Sequence, residues 1–259
     1  MKILTSCMVS ALALSAVTGT YAAEASKAVV NRDYTDTVSP PDQQAYEAGV
    51  KAYNQCLRDH GSKYAWTAWA HETGDVYSYS YVIGPYTWED FDAMRDVSKA
   101  CDATWRAQGN PHLKGETSAF IVDQPEMSHM ARDWAKQAPP ELIDVVYFTL
   151  KPGHEVHEAF TTTAKKLAAA ADKAKWPYDY RFLELQGAGD DAPDYVLVSP
   201  NKNWAEYGTE ANPTFWKMVE GVYGKAEADA LRKSINDATA KMSEHVDSYN
   251  PDLSYIPGH

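Results

Sequence analysis

The sequence predicts an α+β protein of two similar halves, each made of antiparallel strands and helices. A six-residue motif occurs twice, as PEMSHM at 125–130 and as PDLSYI at 251–256, and the copies differ in residue class only at the His/Tyr position. An upstream pair of segments, 85–88 and 200–204, occurs in the same order. Both halves also show patterns in the order strand, helix, strand, strand, helix, strand. Segments that recur in one order indicate a duplication, in which each half is one structural unit.

The first half begins with a weak strand. Ser39 and the prolines after it predict the start of a helix, because serine can cap free amides and proline fits the first turn. Gly61 predicts the end of that helix. The next two strands form a hairpin across the turn at 72–75. The predicted elements are a strand at 28–32, a helix between Ser39 and Gly61, strands at 64–71 and 76–83, a helix at 88–107 and a strand at 117–122.

The second half follows the same order, and residues 132–140 join it to the first. Its two middle strands pair across the glycine-rich turn at 187–191. Pro213 and Gly224 predict breaks in the helical region near the C-terminus. The predicted elements are a strand at 143–150, a helix at 154–173, strands at 178–185 and 194–199, helical segments between 203 and 241, and a strand at 245–249.

The N-terminal segment has the features of a secretory signal peptide. Lys2 supplies a positive charge, an apolar run extends from Ile3 to Val17, and small residues ending at Ala23 suit a signal peptidase. The run is too short to span a membrane. We therefore expect a signal peptide at 1–23 and a periplasmic or secreted protein, with a first repeat at 24–133 and a second at 134–259.

The charge of the chain argues against two classes of partner. The net charge is −12, and it becomes −13 when Lys2 is removed with the signal. A chain this acidic disfavours nucleic acid and anionic membrane surfaces, and no later segment predicts membrane insertion. The expected partner is a small-molecule ligand.

Two cysteines, Cys56 and Cys101, remain after the signal and its Cys7 are removed. Both lie on apolar stripes with helical spacing, so both are expected on the buried sides of their helices. Neither has a cluster of metal-ligating residues near it in the sequence. In an oxidising compartment this pattern predicts a disulfide between Cys56 and Cys101.

The duplicated strand-helix-strand-strand-helix-strand unit resembles the dimeric α+β barrel superfamily, and the closing motifs at 125–129 and 251–255 resemble a segment of its NIPSNAP-type branch. The resemblance implies two ferredoxin-like repeats whose antiparallel sheets close into an intramolecular pseudo-dimeric barrel. The protein would then be a monomeric pseudo-dimer or a homo-oligomer. The superfamily includes cofactor-free oxygenases, haem enzymes, isomerases and proteins of unknown role, so the fold alone leaves the activity open.

The strand faces supply the candidate ligand site, because alternate side chains of a strand point to opposite sides of a sheet. Tyrosine and tryptophan recur on these faces, and Arg181, Glu184 and His71 could anchor a polar group. The alternative is that these aromatic residues are simply good strand formers that cover a helix layer. The predicted ligand-binding residues are Trp66, Trp69, Tyr77, Tyr79, Tyr180 and Arg181.

The histidines do not predict a metal site. His154 and His157 lie one helical turn apart, but they lack the four-residue spacing of the zinc-protease helix, and a helix start suits solvated polar residues. The histidine of the first closing motif, His129, is replaced by Tyr255 in the second, which argues against a shared catalytic imidazole. We expect Ser128 and Ser254 to make local hydrogen bonds in these motifs.

Three functions are consistent with these patterns. The favoured one is a binding protein whose aromatic-lined barrel holds a small, partly apolar ligand, with no cofactor. The second is an enzyme of the cofactor-free oxygenase or isomerase type, in which Arg181, His71 or a tyrosine steers the substrate. The third is a haem or metal protein with a histidine ligand. The sequence has no nucleophile elbow and no phosphate-binding glycine loop.

Overall fold

The computed structural model describes residues 29–130 and 137–258. The strands are β1 (Val29–Val38), β2 (Trp66–His71), β3 (Ser78–Thr87), β4 (Leu113–Asp123), β5 (Leu142–Leu150), β6 (Arg181–Gln186), β7 (Tyr195–Asn201) and β8 (Thr239–Tyr249). The helices are α1 (Gln43–Asp59), α2 (Trp88–Gln108), α3 (His154–Ala174), α4 (Trp204–Tyr207), α5 (Phe215–Tyr223) and α6 (Lys225–Ala238). The predicted signal peptide and the boundary between the predicted repeats lie outside the described residues.

The eight strands close into one antiparallel barrel in the order β1-β3-β2-β8-β5-β7-β6-β4. Each half contributes a four-stranded sheet with the same internal order, β4-β1-β3-β2 in the first and β8-β5-β7-β6 in the second. Two seams join these sheets, one between β2 and β8 and one between β4 and β6. The predicted α+β class and the intramolecular barrel of two antiparallel sheets are thus confirmed.

The two long helices of the first half begin in different ways. At α2, the Thr87 hydroxyl accepts a hydrogen bond from the amide of Asp90, and the Asp90 carboxylate accepts one from the amide of Thr87, which forms a capping box. The prediction that Ser39 caps the preceding helix was wrong. A short 3-10 turn at Pro40–Asp42 comes first, the side chain of Ser39 makes no capping hydrogen bond, and α1 begins at Gln43.

Several strands are longer than predicted, and β8 and β1 show why. β8 begins at Thr239, whereas helix was expected as far as residue 241. It pairs with β5 along the whole length of β5, so ladder hydrogen bonds override the helical preference of its first residues. β1 extends to Val38 and not only to Arg32, because β3 and β4 flank it on both sides.

The disulfide between Cys56 and Cys101 is present and joins α1 to α2, with Cα atoms 5.8 Å apart. Cys101 is fully buried. It packs with Leu57 and Tyr255 in a small cluster between the helices and the end of the chain. Among the described residues, no helix combines the length and the apolar character needed to cross a membrane.

Candidate functional site

Each half encloses a cavity between its sheet and its helices. The cavity of the first half, here the first cavity, has a volume of about 620 Å³. The cavity of the second half, here the second cavity, has a volume of about 1030 Å³. Both volumes are in the range of small-molecule binding sites. Both cavities lie on the outer faces of the barrel strands, between the sheets and the helices.

The first cavity is rich in aromatic side chains, which form nine of its twenty lining residues, and five charged groups lie among them. β1 is central to its floor, because its even-numbered residues point toward the helices. The lining includes Arg32, Tyr34, Asp36, Tyr53, Tyr64, Trp66, Tyr81, Trp88, Phe91, Trp105, Glu116 and Phe120.

Asp36 is the most unusual group of the first cavity, because it is a carboxyl group only 3% exposed. Its Oδ2 accepts a hydrogen bond from the hydroxyl of Tyr46 at 2.6 Å, and the hydroxyl oxygens of Tyr46 and Tyr81 are 2.7 Å apart. Its Oδ1 has no hydrogen-bond partner among the described residues. Burial raises the pKa of Asp36 to about 7, the Tyr46 hydrogen bond lowers it, and the nearby carboxyl of Glu116 raises it further.

The second cavity is larger and is also rich in aromatic residues. Burial raises the pKa of Asp144 to about 6, with repulsion from Glu244 as the next contribution. The hydroxyl of Tyr180 is buried without a hydrogen-bond partner, and burial raises its pKa. The lining includes Asp144, Phe148, Phe160, Trp176, Tyr178, Tyr180, Phe182, Tyr207, Phe215, Trp216, Arg232 and Met242.

The two cavities differ at one corresponding pair of positions. Asp36 is opposite Glu116 in the β1–β4 ladder, two residues before the register shift at the end of β1. Phe148 is opposite Met242 in the β5–β8 ladder, two residues before the equivalent shift at the end of β5. The first cavity therefore has two carboxyl groups where the second has two apolar side chains.

The barrel interior has an apolar part and a polar part. The apolar part contains Trp69, Ile121, Ile143, Leu183 and Val196. The polar part contains Asp33, Thr35, His71, Ser80, His245 and Asp247. Burial, with repulsion from Asp247, raises the pKa of Asp33 to about 7.

The structure places the six predicted ligand-binding residues in five different surroundings. Trp66 lines the first cavity and Tyr180 lines the second. Trp69 points into the barrel interior. Tyr77 and Tyr79 pack in the core between the first sheet and its helices, where the Tyr79 hydroxyl donates to Glu47 at 2.6 Å. Arg181 forms an ion pair with Asp123 across the β4–β6 seam. No single site gathers all six residues.

The remaining polar candidates are also separated from the cavities. His157 lies 3.5 Å from a carboxylate oxygen of Asp194, as expected for a solvated helix start. His71 and Glu184 lie in neither cavity lining, and no histidine lines either cavity. The linings of the two cavities therefore offer no histidine that could ligate a haem. Asp36 and Glu116 were not predicted as site residues from the sequence, because β1 was predicted to end before Asp36.

Comparisons with known proteins support the fold. No protein-family model matches the chain, and no curated protein matches its sequence. A proposed monooxygenase from Lactobacillus acidophilus NCFM has a similar structure, with a TM-score of 0.52, 8% identity and coverage of 90% of this chain and 98% of its own. An anthrone oxidase-like protein gives a TM-score of 0.55 at 12% identity, covering 91% of this chain and 96% of its own.

A proposed monooxygenase from Fusobacterium nucleatum gives a TM-score of 0.54 at 15% identity, covering 86% of this chain and 93% of its own. These matches cover most of the chain, and they agree with its strand order. The chain therefore has the dimeric α+β barrel fold.

Proposed function

We propose that the protein binds a small, partly apolar aromatic molecule in the first cavity and that Asp36 accepts a proton from it. The observation that carries this proposal is a buried carboxyl group beside the second carboxyl group of Glu116, set among aromatic side chains. The pKa of Asp36, raised to about 7 by burial, suits a general base near neutral pH. The second cavity lacks this pair of carboxyl groups and would serve at most for binding.

The aromatic walls and the charged groups have separate roles in this proposal. Tyr53, Trp66 and Trp105 offer flat apolar surface to a ring. Arg32 donates from Nε to the hydroxyl of Ser118 at 3.0 Å, and its guanidinium lies over the rings of Tyr34 and Phe120. A fixed cation beside the cavity would stabilise the negative charge that a ligand gains when it loses a proton to Asp36.

The second candidate function, an enzyme of the cofactor-free oxygenase type, follows from the same groups. The structural neighbours described as proposed monooxygenases and as anthrone oxidase-like favour it. Anthrone has an acidic methylene group, and removal of one proton gives an anion that molecular oxygen can oxidise. The balanced reaction converts anthrone and O₂ into anthraquinone and water, so it needs no oxidant besides O₂. Asp36 would remove the proton, and Arg32 would stabilise the anion.

Anthrone is therefore the probe for both functions. Its binding is followed by quenching of tryptophan fluorescence, and its oxidation by oxygen uptake. We expect binding by the wild-type protein, and we expect Asp36→Asn to keep the binding but to lower the oxidation rate by about 100-fold or more, which is a typical contribution of a general base.

The matched control is Asp144→Asn, which changes a carboxyl group of the second cavity. We expect this variant to oxidise anthrone at the wild-type rate. Binding without oxidation by the wild-type protein would support the binding function and remove the oxygenase candidate. Loss of quenching in a variant with a narrowed second cavity, such as Ala211→Phe, would instead indicate that anthrone binds in the second cavity.

Export is part of the proposed function. The N-terminal signal features and a disulfide that suits an oxidising compartment support it. The measurement is the intact mass of the protein recovered from a bacterial periplasm. Loss of about the first 23 residues is expected for cleavage near Ala23. A full-length mass in the cytoplasmic fraction alone would contradict export.

The duplication and the NIPSNAP-type relationship are also proposals. Equal strand orders in the two halves and equivalent hydrogen bonds at the repeated motifs support a duplicated origin. The proposed repeats at 24–133 and 134–259 would then each form half of the barrel. Co-expression of the two segments as separate chains is expected to give a 1:1 complex, whereas no association would contradict these limits.

A further inference from the structure

Three ligand-type side chains converge inside the barrel, on the side of the sheets opposite to the two cavities. His71 ends β2, and Asp247 is its direct partner in the β2–β8 ladder. His245 precedes Asp247 by two residues on β8, so both point to the same face. We refer to His71, His245 and Asp247 as the interior triad. None of them belongs to the proposed ligand site.

The possible ligand atoms of the interior triad lie within 4.8 Å of one another. Oδ1 of Asp247 lies 3.2 Å from Nε2 of His245 and 3.7 Å from Nε2 of His71. The side chains of His71, His245 and Asp247 are 8%, 12% and 3% exposed. Despite their proximity, Asp247 Oδ1 and His245 Nε2 make no hydrogen bond with each other or with any other described residue. Two buried polar atoms thus lack hydrogen-bond partners, which costs folding free energy.

The same barrel shows that its fold does not require these polar residues. At the opposite seam, Ile121 of β4 pairs with Leu185 of β6. By the register of the repeated motifs, these two residues correspond to Asp247 and His71, and Ala119 corresponds to His245. At these three positions, one seam therefore has apolar side chains and the other has two imidazoles and a carboxylate. Since apolar residues fill the equivalent positions in the same chain, the polar residues at this seam indicate a bound ligand.

The charge of the surroundings favours a cation as this ligand. Asp33 interacts electrostatically with both Asp247 and His245, and Asp75 interacts with His71. Among the described interactions of these residues, none involves a lysine or an arginine. Two buried carboxyl groups thus lie beside two imidazoles without a compensating positive side chain. A buried charge without a partner is unfavourable, and a bound cation would provide that partner.

We propose that the interior triad binds a divalent transition metal ion through the two imidazole nitrogens and the Asp247 carboxylate. Nitrogen and oxygen ligands at about 2.0–2.1 Å from a tetrahedral Zn²⁺ lie roughly 3.3 Å from each other. The observed distances of 3.2 and 3.7 Å need only small adjustments to meet this value. Two histidines and one carboxylate suit Zn²⁺, Co²⁺ or Fe²⁺ and leave a further coordination position open.

Two hydroxyl groups lie beside the interior triad. The Ser80 hydroxyl lies 3.0 Å from His71 Nε2 and 3.2 Å from the Thr35 hydroxyl. On the other side, the loop that follows β2 covers the triad. There the Thr73 hydroxyl accepts from the amide of Val246 at 2.8 Å. The small remaining exposure of the two histidines gives a metal ion a path from this end of the barrel.

The test uses the mature, oxidised protein after treatment with a chelator, so that the disulfide keeps Cys56 and Cys101 from binding metal. Zn²⁺ binding is measured by calorimetry, and Co²⁺ binding by visible absorption. We expect one ion per chain and a rise in melting temperature. We also expect Asp247→Asn to weaken binding by at least about tenfold. The matched control is His157→Ala, which removes an exposed histidine and is expected to bind metal like the wild type.

A second variant uses the residues of the opposite seam. The triple substitution His71→Leu, His245→Ala and Asp247→Ile introduces the apolar residue types that occupy the equivalent positions of the opposite seam. We expect this variant to fold, by circular dichroism, and to have lost stoichiometric metal binding. X-ray absorption of the Zn²⁺-loaded wild-type protein needs no variant and is expected to show two imidazoles and no sulfur. The proposal is overturned if the wild type shows no saturable binding, if the triple variant binds as tightly, or if the absorption spectrum lacks the two imidazoles.

Discussion

The hydroxyl of Ser254 accepts a hydrogen bond from the backbone amide of Ala68 at 2.9 Å, so the C-terminal motif is fixed to a strand of the first half. The equivalent bond in the other direction links Ser128 of the first half to the amide of Phe182 in the second, also at 2.9 Å. Each serine hydroxyl donates at 2.8 Å to the carbonyl four residues earlier. The repeated motif is therefore a pair of reciprocal contacts that tie each half to the other.

The first prediction concerns these two serines. Ser254→Ala and Ser128→Ala each remove the acceptor of a strand amide, which leaves a polar group unpaired. We expect each variant to lose about 1–3 kcal/mol of unfolding free energy, and the two losses to be similar. Chemical denaturation followed by circular dichroism measures them. The control is Ser243→Ala at an exposed position of β8, for which we expect a change of no more than about 0.5 kcal/mol. Strongly unequal losses at Ser128 and Ser254 would argue against equivalent roles.

Features encoded in neighbouring residues were predictable from the sequence. The expected local bonds of Ser128 and Ser254 are confirmed, because each serine bonds to the carbonyl of the residue just before its motif. The disulfide followed from helical spacing and the expected compartment. The order of strands and helices followed from hydrophobic periodicity and turn residues.

Features set by pairing between distant strands were not predictable. The start of β8 depends on β5, nearly a hundred residues earlier in the sequence, and the length of β1 depends on β3 and β4. The candidate site was missed for a related reason. Alternation shows which side chains share a face, but it does not show which face lines the barrel and which faces the helices. Asp36 and the interior triad become visible only when the register is known.

The second prediction concerns the disulfide. Cys56 and Cys101 are 45 residues apart, and the chain-entropy model gives about 4 kcal/mol of stabilisation for a loop of this length. Reduction is therefore expected to lower the unfolding free energy by an amount of that order. Urea denaturation with and without a reductant measures the difference. The double variant Cys56→Ser and Cys101→Ser is expected to match the reduced protein and to be insensitive to reductant. Equal stability of oxidised and reduced wild type would contradict the prediction.

The third prediction separates Arg181 from the ligand site. The sequence predicted that Arg181 anchors a polar group of the ligand, yet Arg181 lines neither cavity and pairs with Asp123. We now expect that anthrone binding is unchanged in Arg181→Ala. The unfolding free energy should fall by no more than about 1 kcal/mol, because the ion pair is partly exposed. The comparison variant is Arg32→Ala, which removes a cation from the first cavity and is expected to weaken binding of an anionic aromatic probe. Weaker binding in Arg181→Ala alone would restore Arg181 to the site.

The fourth prediction concerns the pH dependence of stability. Burial raises the pKa of Asp36 from 3.8 to about 7, so the folded state binds this proton more tightly than the unfolded state. The stabilising contribution of the protonated carboxyl is complete below pH 3.8 and is lost as the pH rises through 7. A shift of this size corresponds to at most about 4 kcal/mol. Asp33 and Asp144 change stability in the same direction, because burial raises their pKa values as well.

The variant Asp36→Asn isolates this contribution, because an amide has no such titration. We expect the unfolding free energy of the variant, relative to that of the wild type, to increase between pH 4 and pH 8. The change should be steady between the unfolded pKa of 3.8 and the folded pKa of about 7, and it should level off above pH 7, where Asp36 is ionised in both states. Urea denaturation at a series of pH values, at constant ionic strength, gives both curves. A difference that does not vary with pH would show that Asp36 titrates alike in the folded and unfolded states, and it would remove the physical basis for Asp36 as the base of the first cavity.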